Sequence, residues 1–174
     1  MVNIDVNEEY TFDVASETVD DYKVCKNILE WLKSNMENLT DTNDNKLFSK
    51  VNYGYNEQTL KGFGKKPVCD VYLTKTNYSD DFQHNHPSII VSNIICSLKG
   101  NMNNAYIKAA ELNDYLLQEF ENNDDFHTLE LFENDTPIRT IVGRTRVTDA
   151  EMKIIPQGKS YGVLVAFELE HTIL

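Results

Sequence analysis

The last seventeen positions, "GKSYGVLVAFELEHTIL" at 158–174, alternate in character. Val163, Val165, Phe167 and Leu169 fall on one side, and Leu164, Ala166, Glu168 and Glu170 on the other. A period of two predicts a strand with one apolar face and a second face that turns acidic towards its end. Upstream, "IRTIVGRTRVT" at 138–148 predicts the partner strand, with a bend at Gly143. Residues 151–155 continue it and "PQGKSYG" turns the chain, so the C-terminus reads as a long antiparallel hairpin.

The N-terminal half carries the helical period instead. Tyr22, Cys25, Leu29, Leu32, Met36 and Leu39 recur at three- and four-residue steps, predicting an amphipathic helix over 19–39. Thr18 and Asp21 supply a capping box, with Asp in place of Glu, and "TDTNDN" stops the helix. Residues 46–67 show no clear period and read as a strand flank and a loop. Cys69, Val71 and Leu73 alternate with Asp70, Tyr72 and Thr74, a strand. Residues 43–67 and 74–87 are expected to be exposed loops, and 1–18 an acidic arm.

"SIIVSNIICSL" at 88–98 reads as a second strand whose buried face switches near Ser92–Asn93 through a β-bulge. Gly100 ends it, and Asn101 or Asn103 caps a second helix with the stripe Met102, Ala105, Ala109, Leu112, Leu116 and Phe120. The acids Glu119, Glu121, Asp124 and Asp125 at its far end oppose the helix dipole and favour fraying. "FHTLELF" predicts a short strand. The pattern predicts an α+β fold in one domain over 1–174: a largely antiparallel sheet, two main helices packed on one face, and the C-terminal hairpin.

Composition narrows the function classes. The 174 residues are 41% hydrophobic, enough for a core and too many for a disordered chain. No stretch approaches the roughly 20 apolar residues of a membrane span, and "MVNIDVNEEY" lacks the pattern of a signal peptide, so a cytoplasmic protein is expected. Cys25, Cys69 and Cys96 are odd in number and far apart, and read as reduced hydrophobes rather than a disulfide framework. The net charge is −12, unevenly spread: residues 1–45 sum to −8 and residues 46–100 to +3. That balance argues against tight nucleic-acid binding, but does not exclude a surface past which DNA slides without sticking. The polarity also lets one end of the molecule attract the other end of a neighbour.

Candidate chemistry is sparse. His84 and His86 in "HNH" could share a metal if further ligands converge, but the signal is weak and a polar loop before Pro87 explains all of it. The letters match those of a nuclease motif that needs a different, separated arrangement. No GxSxG elbow, Walker loop or GxGxxG pattern occurs, and "GFG" at 62–64 is too short to cradle phosphate. Asp80–Asp81 and Asp124–Asp125 sit in polar surroundings, without the burial that tunes a carboxylate for acid catalysis. No catalytic, cofactor-binding or metal residues are therefore assigned. In "GRTRV", Arg144 and Arg146 share one strand face. They either meet an acidic partner molecule or pair across the hairpin with Glu168 and Glu170, and both can hold at different positions.

The order of these elements resembles the tail terminator proteins of long-tailed phages, also called neck or tail-completion proteins. The similarity runs through the first helix (19–39), "VCDVYLT", "IIVSNIICSL", "AYIKAAELNDYLLQEF" and "VGRTRVTDAEMKIIPQGKSYGVLVAFELEH", from about 19 to 171. It is a likeness of layout rather than of invariant residues. The resemblance implies a non-enzymatic virion protein, made in the host cytoplasm and sometimes encoded by a prophage. It implies a homo-oligomer, a hexameric ring, that caps the tail tube protein and meets the head connector protein. DNA would pass through without specific binding, with no cofactor and no membrane. Arg144, Arg146, Glu168 and Glu170 are the residues expected at the subunit contact. A head–tail connector or other phage structural subunit is the alternative, and a small metal-dependent enzyme using His84 and His86 the third reading.

Overall fold

The computed structural model describes residues 19–54, 66–78, 87–133, 136–157 and 160–174. In chain order it contains α1 (Val19–Asn38), β1 (Lys50–Tyr53), β2 (Val68–Tyr78), β3 (Pro87–Gly100), α2 (Met102–Asn122), β4 (Leu129–Glu133), β5 (Thr136–Gln157) and β6 (Ser160–Ile173). The strands form one six-stranded sheet in the order β1-β2-β3-β6-β5-β4. Every pairing is antiparallel except β1 with β2, which is parallel. The α+β class, the two packed helices and the long hairpin stand as the pattern predicts.

The core lies between the helices and one face of the sheet. Val24, Ile28, Leu32 and Met36 of α1 and Ala105, Ala109, Leu112, Leu116 and Phe120 of α2 are buried against Val71, Ile94, Cys96, Val163, Val165, Phe167 and Leu169. Phe120 sits edge-on to Phe126 and to Phe167, with centroids 5.0 and 5.2 Å away. Such T-shaped pairs add about 0.5–1.5 kcal/mol each beyond the area they bury. Asn101, not Asn103, caps α2: its side chain accepts the backbone N–H of Asn104 at 3.0 Å. The far end of α2 closes on Asn123, whose backbone N–H donates to the carbonyl of Glu119.

Several expectations need correction. The buried stripe of α1 runs through Val24 and Ile28, with Cys25 and Leu29 only flanking the core. The two sets lie one residue apart, and the β-branched Val24 and Ile28 take the core positions. Lys50–Tyr53 is a strand rather than part of a loop, and β2 continues through Thr74–Tyr78. Its register with β3 shifts between Leu73 and Lys75, which leaves Thr74 as the inserted residue. The bulge thus lies in β2. β3 keeps an unbroken register with β6 and does not switch faces. Ile90, Ser92, Ile94, Cys96 and Leu98 are all buried. Ser92 occupies a core position because its hydroxyl has a buried partner there, His171. The arm at 1–18, Thr18 of the capping box and both histidines of "HNH" lie outside the described residues.

A candidate contact surface on the C-terminal hairpin

β6 pairs along its whole length with the Val142–Gln157 part of β5, and their alternation sorts the side chains. Thr145 stands opposite His171, and both are buried. Their chain neighbours therefore project to the other face. There Arg146 stands opposite Glu170 and Arg144 opposite Thr172. Arg144, Arg146, Glu170 and Thr172 together line a notch of about 230 Å³.

Beneath the notch lies a polar clasp that sequence reasoning missed. Ser92 Oγ is 2.7 Å from His171 Nε2, and Thr145 Oγ1 is 2.8 Å from Nδ1. Trp31 of α1 meets the imidazole edge-on at 5.7 Å. Burial pushes the His171 pKa down from its ordinary 6.5 to about 3, so the ring is neutral. A neutral imidazole has one donor and one acceptor nitrogen, and two hydroxyls satisfy both. Ser92 and His171 have the spacing of a nucleophile and its base, but the hydroxyl is wholly buried and the third partner is Thr145 rather than a carboxylate. The trio is a clasp joining β3, β5, β6 and α1. Only the register of three strands brings it together, and no local spacing signals it.

The arginine row of the sequence divides into two roles. The Arg146 guanidinium reaches the Glu170 carboxylate at 2.8 Å, so the cross-strand pairing holds at that position. Arg146 is largely exposed and Glu170 mostly covered, and such a pair contributes about 0.5–1 kcal/mol. Arg144 is exposed and forms no ion pair among the described residues. Glu168 stands apart from the notch: it faces Asp149 in the register and accepts the Thr148 hydroxyl at 2.7 Å. Three of the four predicted residues thus gather, and one does not.

The hairpin also leaves an edge. β4 pairs with β5 only as far as Val142. From Arg144 to Gln157, β5 pairs with β6 alone among the described residues. An unpaired strand edge exposes backbone donors and acceptors and is a template for another strand. Charged side chains on Asp149, Glu151 and Lys153 guard it, while Ile154 stays exposed near the hairpin tip.

Gly143 enters β5 beside a register shift between Val142 and Arg144. A Cβ there would come within 2.6 Å of Leu174 Cδ1. Leu174 is held across it by donating its backbone N–H to the carbonyl of Ile141.

Among the described residues, no three His, Cys, Asp or Glu side chains gather to hold a metal. No helix among them is long and apolar enough to cross a membrane. No family model and no curated protein matches the chain. One similar solved structure, designated only by a sequence identifier, shares 13% identity and covers 91% of this chain and 99% of its own, with a TM-score of 0.39. A likeness at that level fixes neither fold nor function.

Proposed function

We propose that the chain is a ring-forming structural subunit of a phage tail or neck. It caps the finished tail tube and presents a surface to the head connector. The observation that carries this reading is the edge of β5 beside the Arg144–Arg146 notch, which no strand among the described residues covers. A long strand edge left open by its own sheet is a hazard unless a neighbour covers it, and a closed ring gives every copy that neighbour. The net charge of −12 supports a bore through which DNA passes without binding. Arg144, with no ion-pair partner among the described residues, then meets a carboxylate of the adjacent subunit, while Arg146 divides between that contact and Glu170.

Charge reversal tests the assignment. Arg144→Glu leaves the intramolecular pair intact and should abolish assembly with an unchanged circular dichroism spectrum. Arg146→Glu is confounded by repulsion from Glu170, so it is made together with Glu170→Arg, which restores the cross-strand pair in reverse. A normal ring from Arg144→Glu removes that residue from the contact. Absence of the protein from the tail–head junction of particles, imaged by electron microscopy, removes the function.

A further inference from the structure

Cys69 and Cys96 are far apart in sequence, yet their Cα atoms are direct partners in the β2–β3 register. Direct antiparallel partners lie about 4.5–5.5 Å apart at Cα, inside the window of about 4.4–6.8 Å that a disulfide spans. Both thiols are wholly buried on the helix side of the sheet. Burial, then the adjacent Cys96 thiol, pushes the Cys69 pKa well above the ordinary thiol value. Neither is in a disulfide, nor is the partly buried Cys25 on α1.

We infer that Cys69 and Cys96 are a built disulfide site, closed when the chain folds in the presence of a small-molecule disulfide. The chemistry is two exchange steps. One cysteine thiolate attacks a sulfur of the reagent, forms a mixed disulfide and releases one small thiolate. The second cysteine thiolate then attacks the protein sulfur of that bond, the Cys69–Cys96 bond forms and the second small thiolate leaves. Each departing thiolate takes up the proton its attacker lost. Two protein thiols and one reagent disulfide thus become one protein disulfide and two small thiols.

Burial sets when this happens. Exchange needs a thiolate and access to it, and the folded chain denies both at this pair. The bond therefore closes on the way to the folded state, where strand pairing brings the two sulfurs together. Once closed, it is shielded from reductant by the same packing. It ties β2 to β3 within the sheet without requiring either strand to move out of register. The inference does not depend on the ring reading, and either can fail alone.

The test is refolding from denaturant in buffered oxidised glutathione, followed by alkylation of free thiols and mass spectrometry of a non-reducing digest. The expected product is folded protein carrying one Cys69–Cys96 link and a single alkylated thiol at Cys25. Cys25→Ser should form the same link, and Cys69→Ser should form none. Folded product with three alkylated thiols, or a link that includes Cys25, overturns the inference. So does a Cys69–Cys96 link found only in misfolded material.

Discussion

The clasp around His171 makes a pH prediction that can be worked through. The folded imidazole is neutral, with its pKa lowered by burial to about 3 from 6.5. Below pH 6.5 the unfolded chain therefore takes up a proton that the folded chain refuses, so stability falls as the solution is acidified. The contribution is fully present above pH 6.5, is lost progressively down to pH 3, and stays lost below it. At about pH 5 the loss is about 2 kcal/mol relative to about pH 7.5, and it approaches about 5 kcal/mol at the acid limit. Other groups titrate over the same range, so the measurement is a difference between two profiles. Urea unfolding of the wild type and of His171→Gln, followed by tryptophan fluorescence at several pH values, isolates this residue. The variant should be less stable at neutral pH, having lost a ring that satisfies both hydroxyls, but it should lose about 2 kcal/mol less on going to pH 5. Two parallel profiles would refute the reasoning, because they would mean that the folded protein accommodates the imidazolium.

Other consequences follow from the packing. Phe120→Ala removes the centre of the aromatic cluster and should cost about 3–5 kcal/mol in chemical denaturation. Asn101→Ala removes the α2 cap and should cost about 1 kcal/mol, read as a lower urea midpoint at unchanged slope. Gly143→Ala drives a methyl into Leu174 and should cost about 1 kcal/mol, a loss that Leu174→Ala relieves because the collision is with that side chain. Independent, additive effects of those two changes would contradict the geometry.

How much of this was legible in the sequence depended on where the stabilising partner lies. The alternation of Val163, Val165, Phe167 and Leu169 is local, and β6 carries them into the core as predicted. The helix of Ala105, Ala109 and Leu116 is local too, and Asn101 caps it through a neighbour three residues away. Ser92 misleads because a hydroxyl in a core position looks like a break in the pattern. Its compensation comes from His171, 79 residues away. Lys50–Tyr53 is too short to show a period, and only Val51 of its residues is buried. Thr74–Tyr78 looks like a loop because its polar side chains follow a bulge, while backbone pairing to β3 keeps it in the sheet. Of the residues proposed for the contact, Arg146 and Glu170 were readable as a cross-strand pair, whereas Glu168 faces Asp149 after a second register shift, between Val147 and Asp149. The juxtaposition of Cys69 and Cys96 is likewise a product of register, and no spacing rule anticipates it.

The central claim is that the open edge of the hairpin belongs to an assembly. Light scattering coupled to size-exclusion chromatography tests it most directly, with negative-stain images of the peak. The account predicts a closed ring, about 120 kDa for six copies of the 20.0 kDa chain, either alone or after addition of tail tubes. A 20.0 kDa monomer that stays monomeric at high concentration and ignores tail tubes would contradict it.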